Sequence, residues 1–253
     1  MAKTLTGKKI VVIGGSAGIG FGVAKHSLLN LASEIIIVSS TKPRVDKALA
    51  TMQEIIAEYK LPGKVQGEVC DAGDAKAVRT LFKEIGELDH IVWTAGKAER
   101  MDLYEQDLEK HRSAFDVKFW GVVAAVQGAK FLPGGSLTLT IGTSAIKPRK
   151  GWSLIGGMLG SVEALTRGLA VDLAPIRVNV VAPGWVNTEL WTDAEFSQGA
   201  VAEMIKTREE KLLVRHVADG DEIAEAFLFC MRCEYLTGQR IEVDGGQTLV
   251  SGL

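Results

Sequence analysis

Cysteine, net charge and long apolar runs are all scarce in this sequence, and each shortage excludes a class of protein. Three cysteines are an odd number, which fits a reducing compartment better than a disulfide framework. The 29 lysines and arginines do not exceed the 31 aspartates and glutamates, so no basic surface for nucleic acid or an anionic membrane is expected.

Apolar runs are short throughout. Residues Met1 to Ile10 include three lysines but no stretch of signal-peptide length, and no later run approaches the roughly 20 apolar residues of a membrane span. Repeats, linkers and low-complexity segments are also missing. We therefore expect one domain, residues 1–253, located in the cytosol and without a membrane partner.

One cysteine pair has a spacing that metal and redox sites use. Cys230-Met-Arg-Cys233 lies within the helix-periodic, apolar stretch Glu222 to Tyr235, and no second pair of ligands is nearby. A metal or redox role is the alternative, but we interpret both thiols as small, half-buried hydrophobic groups and predict no metal site.

Short β-branched runs alternate with helix-periodic stretches along the chain, which is typical of a parallel sheet covered by helices on both faces. The predicted strands are Lys9 to Ile13, Glu34 to Ser39, Lys64 to Cys70, Leu88 to Trp93, Ser136 to Ile141, Arg177 to Val181 and Gln239 to Val243. The predicted helices are Gly18 to Leu31, Pro43 to Tyr59, Ala75 to Gly86, Asp107 to Lys130, Trp152 to Leu173 and Asp221 to Cys233. The fold class is therefore α/β, with a seven-stranded, doubly wound parallel sheet.

A glycine-rich turn links the first strand to the first helix. In Gly14-Gly15-Ser16-Ala17-Gly18-Ile19-Gly20, the first glycine allows a tight turn, Gly18 lets the backbone approach a pyrophosphate, and Gly20 permits close packing of helix on strand. The helix N-terminus attracts the negative charge. The turn therefore predicts a dinucleotide site, with a turn of another purpose as the alternative.

The spacing Gly-x-x-x-Gly-x-Gly resembles that of the short-chain dehydrogenase/reductase family, and the resemblance extends over almost the whole chain. Further matches are Asp71, Thr94-Ala95-Gly96, Arg177 to Gly184 with Thr188, Tyr235 to Gly238 and Val243 to Gly246. The resemblance implies a single-domain Rossmann fold that binds a nicotinamide dinucleotide. It implies these cofactor residues: Gly14, Ser16, Gly18, Ile19, Gly20, Ser39, Ser40, Thr41, Lys42, Asp71, Ala72, Thr94, Ala95, Gly96, Pro183, Gly184, Val186 and Thr188.

The choice between the two nicotinamide dinucleotides follows from charge. A carboxylate about 20 residues beyond the glycines binds the ribose 2′-OH and repels a 2′-phosphate. Here that place holds Ser39, Ser40 and Thr41, followed by Lys42 and Arg44. The positive charge favours NADP(H), unless the two basic residues are only a solvated helix start.

The family's catalytic residues are not found at their expected places. Aligned through Val162 to Ala170, the family's Tyr falls on Ile155 and its Lys on Leu159, while its Ser falls on Gly142 and its Asn on Lys118. Isoleucine has no proton to donate, and leucine can neither lower a tyrosine pKa nor bind the nicotinamide ribose. The usual acid is therefore absent.

Three residues are candidate substitutes. Thr143 and Ser144 follow the vacant serine position, and Lys118 can project an ammonium group into the volume of the absent lysine. The alternatives are that the two hydroxyls only satisfy turn amides and that Lys118 lies on a helix surface.

Five tryptophans contribute large rings. Trp152, Trp185 and Trp191 are predicted to contact a bulky, flat or cationic small-molecule substrate, whereas Trp93 and Trp120 are interpreted as core or subunit contacts.

These features lead to three hypotheses of function. The leading one is an atypical reductase of an activated imine, iminium or carbonyl. The sequence resembles divergent members of the family from fungal natural-product pathways. The others are a cofactor-binding protein without turnover and a redox-neutral cyclase or isomerase. We also expect a substrate lid at about 189–216. The resemblance further implies a homodimer or homotetramer.

Overall fold

The computed structural model describes residues 4–96, 101–193 and 197–251. Seven parallel strands form one sheet in the order β3-β2-β1-β4-β5-β6-β7. They are β1 (Lys9–Ile13), β2 (Glu34–Ser39), β3 (Lys64–Val69), β4 (Glu87–Trp93), β5 (Lys130–Thr140), β6 (Arg177–Pro183) and β7 (Arg240–Val243). The predicted seven-stranded parallel sheet is confirmed.

Helices connect the strands and cover both faces of the sheet. They are α1 (Gly18–Leu29), α2 (Lys42–Tyr59), α3 (Ala75–Ile85), α4 (Glu109–Phe115), α5 (Gly121–Gly128), α6 (Ser153–Asp172), α7 (Glu189–Asp193), α8 (Gln198–Glu209) and α9 (Gly220–Arg232). Alternate residues of β1 enter different cores: Val11 and Ile13 lie in one, Ile10 and Val12 in the other. Burial on both faces explains why the strands are continuous apolar runs.

The predicted helix Asp107 to Lys130 is interrupted. A π-helical turn, Asp116–Trp120, separates α4 from α5. Immediately after it, Gly121 brings the helix so close to the sheet that an added Cβ would overlap the Ala72 carbonyl oxygen and lie 2.9 Å from the Trp93 ring. A π-helical turn adds one residue to a helical turn, and the stretches on both sides of it are helix-periodic, so the pattern predicted one continuous helix.

Strand β5 begins six residues earlier than predicted. Lys130 and Phe131 pair with Glu87 and Leu88, and the pairing with β4 shifts register before it continues at Ser136. The intervening Pro133-Gly134-Gly135 was interpreted as a break because these residues mark turns.

Helix α6 is the one helix among the described residues that is long and apolar enough to cross a bilayer by length and composition. The sequence-based expectation that no stretch comes near this limit was therefore too strict. Its buried side chains, which include Ile155, Leu159 and Val162, join the core on one face of the sheet. A core helix of a soluble protein passes the same test.

His90 of the central strand β4 is buried in its neutral form. Its Nδ1 lies 2.9 Å from the Ser136 hydroxyl, and burial lowers the imidazole pKa to about 3. The folded protein therefore keeps His90 neutral at pH values where the unfolded chain, with a pKa of about 6.5, takes up a proton. The contribution of neutral His90 to the free energy of unfolding is complete above the pKa of the unfolded chain and is lost as the pH falls below that value.

We expect the unfolding free energy to fall by up to about 1.4 kcal/mol per pH unit from this group between about pH 6 and pH 4. Urea unfolding at a series of pH values should show a shallower slope for His90→Asn than for the wild type, whatever the variant's absolute stability. Equal slopes would contradict this assignment.

Candidate functional site

The carboxyl ends of the central strands meet at one edge of the sheet. After β1 the chain adds β2 and β3 on one side of it, and then crosses to its other side to add β4. This change of direction opens a crevice at the carboxyl end of β1. The glycine turn after β1 and the segment Thr94-Ala95-Gly96 after β4 line this crevice. The predicted dinucleotide residues are thereby brought to one edge.

The glycine turn has the shape of a cradle for a diphosphate. Gly14 has φ +85° and lies so close to the next loop that an added Cβ would be 2.6 Å from the Ala95 nitrogen. A Cβ on Gly20 would overlap both the Gly14 carbonyl oxygen and the Thr94 hydroxyl. Ala17, the N-cap residue of α1, makes no side-chain hydrogen bond to the first backbone N–H groups of the helix. These residues fit the diphosphate of a nicotinamide dinucleotide.

The end of β2 contains no carboxylate. Ser39 is buried, and the Ser16 hydroxyl donates a hydrogen bond to its oxygen over 2.8 Å. Ser40, Thr41 and Lys42 are exposed at the start of α2. The Lys42 ammonium pairs with Asp46 one turn further on, at 2.8 Å, and both side chains are largely exposed. Such a pair contributes little to stability, so Lys42 can exchange Asp46 for a more strongly charged anion.

Asp71 lies one strand further from the crevice, after β3. Its carboxylate is exposed and accepts the Gly73 backbone N–H at 2.9 Å, while the neighbouring Ala72 is buried. Pro183, Gly184 and Val186 follow β6, and the Thr188 side chain lies 3.0 Å from the Cβ position of Gly18. The loop after β6 therefore reaches the glycine turn.

A cleft of 600 Å³ opens beside this edge. Ile155, on the first turn of α6, forms part of its wall together with Trp152. The other lining residues are Met101, Asp102, Glu105, Lys110, His111 and Gly151. The sequence predicted only Trp152 as a substrate contact here.

Three of the family's catalytic positions form an apolar group in this structure. Leu159 lies 4.0 Å from the Cβ position of Gly142, and both Ile155 and Leu159 are buried. None of the three side chains can donate or accept a proton. The chemistry of this wall is therefore limited to excluding water and shaping the substrate.

Lys118 reaches the same edge from the π-helical turn. Its Nζ lies 2.7 Å from the Cβ position of Gly96, so the ammonium covers the backbone at the end of β4. The side chain is half-buried, and α6 packs against the π-helical turn. Both interpretations of Lys118, a catalytic substitute and a helix-surface residue, stay predictions.

The two predicted hydroxyls have different surroundings. Thr143 is buried, and its oxygen accepts a hydrogen bond of 3.0 Å from the Gln247 side-chain amide. The Ser144 oxygen lies 3.7 Å from the Cβ position of Gly142. The Ser144 hydroxyl therefore lies near Gly142, whereas Thr143 is bound by the C-terminal segment through Gln247.

Gln247 connects three loops, and no sequence motif marks it. Its side-chain oxygen accepts the Trp185 backbone N–H at 3.0 Å, while its amide donates to Thr143. Lys147 donates to the backbone oxygens of Gln247 and Val250. The loops after β5, β6 and β7 are held together in this way.

The insert predicted as a lid forms α7 and α8, and residues 194–196 of that insert lie outside the described residues. Trp185 and Trp191 stack with ring centroids 5.0 Å apart, and Trp185 is only 7% exposed. The Arg208 guanidinium of α8 lies 4.6 Å from the Trp185 ring centroid. Of the three tryptophans predicted to contact a substrate, Trp152 lines the cleft, whereas Trp185 and Trp191 are not among its lining residues.

The other two tryptophans differ from each other. Trp93 is buried in the core, whereas Trp120 is 54% exposed on the π-helical turn.

Cys230 belongs to the core near the end of α9, whereas Cys233 is the half-buried C-cap residue of that helix. Cys230 is fully buried, and burial raises its thiol pKa to about 12. Within the part of the chain that the structure describes, no group of three metal-binding side chains occurs.

The whole chain, except its last residues, matches one known domain. The match is to the SDR-like Rossmann domain and covers residues 1–250. The chain belongs to the short-chain dehydrogenase/reductase family.

Similar members include fungal proteins. Short-chain dehydrogenase/reductase fsr5 of Gibberella fujikuroi is 34% identical over 257 residues, covering 97% of this chain and 96% of that protein. The structure of MalC reductase/Diels–Alderase from Malbranchea aurantiaca has a TM-score of 0.87 at 30% identity, covering 97% of this chain and 98% of MalC. The structure of a small-chain dehydrogenase in complex with NADPH has a TM-score of 0.75 at 30% identity, covering 96% of this chain and 99% of that dehydrogenase. The chain is thus an oxidoreductase-family protein with a nicotinamide dinucleotide fold.

Proposed function

We propose that this short-chain dehydrogenase/reductase is an NADPH-dependent reductase of an already electrophilic carbon, such as an iminium or activated carbonyl, in a bulky substrate. When bound, the cofactor supplies the hydride. The observation that supports this proposal is the apolar wall of Ile155 and Leu159 beside an intact diphosphate cradle. A substrate that is already activated needs little acid, so positioning accounts for most of the catalysis.

The side chains of this chain have distinct roles in the proposed reaction. Ile155 and Trp152 exclude water and present one face of the substrate. Lys118 stabilises developing negative charge or donates a proton at the edge of the crevice, and it is the proposed catalytic residue. Ser144 supplies a hydroxyl for a heteroatom of the substrate, and Thr143 supports the loop through Gln247.

The proposal is tested by incubating the purified protein with NADPH and a panel of cyclic imines, iminium salts and activated carbonyls. We expect NADPH consumption with members of this panel, and turnover at least about 100-fold slower with simple ketones, because these need the acid that Ile155 cannot provide. Stoichiometric NADPH binding without consumption by any member would favour a cofactor-binding protein without turnover.

Preference for NADPH over NADH is part of the proposal. It is supported by the neutral end of β2 and by Lys42 at the start of α2. The structure in complex with NADPH of a relative at 30% identity adds to this support. Tighter binding of NADH than of NADPH would overturn it.

A carboxylate introduced at Ser40 should reverse this preference. We expect Ser40→Asp to raise the dissociation constant of NADPH about tenfold or more through repulsion of the 2′-phosphate, and to change that of NADH by less than about threefold. Titration of each cofactor measures both constants. Ser33→Asp, at the opposite end of β2, is the matched control and should alter neither.

Two further predictions remain proposals. The insert 189–216 acts as a substrate lid, which is supported by the contacts of Thr188 with the glycine turn and of Arg208 with Trp185. The protein forms a homodimer or homotetramer, which is supported by the exposed Trp120 and by open space at the Cβ positions of Gly157 and Gly160 in α6.

A redox-neutral cyclase is the second candidate function. The stacked pair Trp185 and Trp191 and the aromatic wall at Trp152 suit orientation of one flat reactant. MalC, at 30% identity, is described as a reductase/Diels–Alderase. Conversion of a diene–dienophile substrate at the same rate with and without NADPH would favour this function over reduction.

A further inference from the structure

His111 of α4 and Ile155 of α6 line the same cleft of 600 Å³. The part of its wall that comes from residues 151–155 contributes Gly151, Trp152 and Ile155, and none of these has a titratable side chain. Every titratable group that lines the cleft comes instead from the segment 101–111. Ile155 occupies the position of the family's acid, so a group that replaces this acid from another element has to reach the same cleft.

A hydrogen bond to the backbone determines which nitrogen of His111 exchanges a proton. Nε2 lies 3.0 Å from the carbonyl oxygen of Asp102. A carbonyl oxygen can only accept a hydrogen bond, so Nε2 carries a hydrogen in both the neutral and the charged imidazole. Nδ1 is therefore the atom that gains and loses the proton.

The loop that holds His111 is cross-linked by its own hydrogen bonds. The Asp102 carbonyl oxygen also accepts the Glu105 backbone N–H at 3.3 Å, and the Asp102 carboxylate accepts the Tyr104 backbone N–H at 3.0 Å. The backbone N–H of His111 itself donates to the Leu108 carbonyl oxygen at 3.0 Å. The half-buried imidazole is thus fixed to the loop at its ring and at its backbone.

The other charged groups at the cleft are poor sources of a proton. Lys110 donates to the Glu105 carboxylate at 2.7 Å, and this hydrogen bond holds the pKa of the Glu105 carboxyl below its usual value. Arg149, whose guanidinium lies 5.4 Å from the Trp152 ring centroid, does not release a proton in proteins. Imidazole is the side chain that exchanges its proton near neutral pH.

We propose that the His111 imidazolium donates the proton that an activated carbonyl takes up on reduction, in place of the family's tyrosine. As the carbonyl carbon accepts a hydride, the π pair of the C=O bond moves to oxygen, the O–H bond forms and the Nδ1–H bond of His111 breaks. The neutral imidazole recovers its proton from water after the alcohol leaves. This role rests on the reductase proposed above, and Lys118 then keeps the electrostatic part of its proposed role.

Two flat substrates separate proton donation from binding. Isatin, an activated carbonyl, needs a proton on its oxygen, whereas N-methyl-3,4-dihydroisoquinolinium becomes a neutral amine when it accepts hydride and needs none. His111→Gln keeps a side-chain N–H for the Asp102 carbonyl but cannot donate a proton as an acid. We expect this variant to lower kcat about 100-fold or more for isatin and to change that for the iminium by less than about threefold.

The pH profile gives a second readout. In the wild type, kcat for isatin should fall as the pH rises, since only the imidazolium donates, whereas kcat for the iminium should not follow this decrease. In His111→Gln the decrease should be absent for both substrates. The same decrease in His111→Gln as in the wild type would overturn the proposal.

A binding measurement tests the contact without turnover. The chain has four histidines, so the imidazole NMR signal of His111 is assigned by its absence from His111→Gln. With NADP⁺ present, isatin should shift this signal and leave that of His216 unchanged, because the exposed His216 ring lies at Glu222, at 2.8 Å. Binding of isatin without a shift of the His111 signal would overturn the contact.

The matched control is Arg112→Gln, since Arg112 follows His111 on α4, is exposed and pairs with Glu109. It should turn over both substrates like the wild type, and NADPH affinity retained in His111→Gln shows that this variant folds. Equal losses on both substrates in His111→Gln would make His111 a residue that shapes the cleft and overturn its role as the acid. Unchanged turnover of both would overturn this role alone, whereas a wild type that reduces neither substrate would overturn the reductase as well.

Discussion

Gly20→Ala is expected to abolish useful cofactor binding, with a dissociation constant for NADPH raised about 100-fold or more. The added Cβ would overlap the Gly14 carbonyl oxygen and the Thr94 hydroxyl. A backbone carbonyl cannot rotate away as the end of a flexible side chain can, so α1 must move outward. Its first N–H groups would then leave the position that holds the diphosphate.

The same change should destabilise the fold by about 1–3 kcal/mol, the usual cost of overpacking. NADPH titration and thermal unfolding measure the two effects separately. Gly199→Ala is the matched control, because Gly199 also lies in the first turn of a helix and has open space around its Cβ position. It should shift stability by less than about 0.5 kcal/mol. An NADPH affinity retained within about threefold in Gly20→Ala would show that the cradle is not the binding site.

Lys118→Ala is expected to lower kcat about 100-fold or more on an imine or activated carbonyl substrate. The ammonium lies over the Gly96 backbone, at the crevice edge where the family's usual acid is replaced by Ile155. Its loss leaves the apolar wall without a cationic group from the π-helical turn. The affinity for NADPH should change by less than about threefold, since the glycine cradle is untouched.

The measurement is steady-state kinetics with a parallel NADPH titration. Lys130→Ala, which removes an exposed lysine at the start of β5, is the control and should keep full turnover. If Lys118→Ala retains full kcat, catalysis relies on positioning alone or on Ser144. If it loses NADPH affinity without loss of kcat, Lys118 is a cofactor contact.

Strands β1 and β2, which come before and after the glycine turn and α1 in the chain, could be predicted to the residue. The observed bounds of β1 and β2 match the predictions because each strand is a buried apolar run that ends directly at glycine or hydroxyl residues. The start of β5 could not, since its pairing passes over Pro133-Gly134-Gly135 by a register shift with β4. Such pairing depends on the neighbouring strand and leaves no local pattern.

In the candidate site, too, local sequence patterns could be predicted and contacts between distant segments could not. The glycine turn was readable because its function requires specific backbone shapes at fixed spacing. Gln247 and Thr143 are 104 positions apart in the chain, so their hydrogen bond has no local signature. Arg208 of α8 likewise contacts the Trp185 ring, which lies in the loop after β6. Sequence patterns report what each segment buries, whereas these contacts depend on which segments become neighbours.

The direction of the Lys118 side chain depends on the number of residues in the π-helical turn as well as on the presence of a lysine at that position. A π-helical turn holds one residue more than an α-helical turn, and deleting one residue from Asp116–Trp120 would convert it to an α-helical turn and change the direction in which Lys118 projects. The ammonium would then point away from Gly96 although every side chain of the site was still encoded. In this chain, a single deletion within the π-helical turn is therefore expected to move the cation away from this edge without any substitution at a catalytic position.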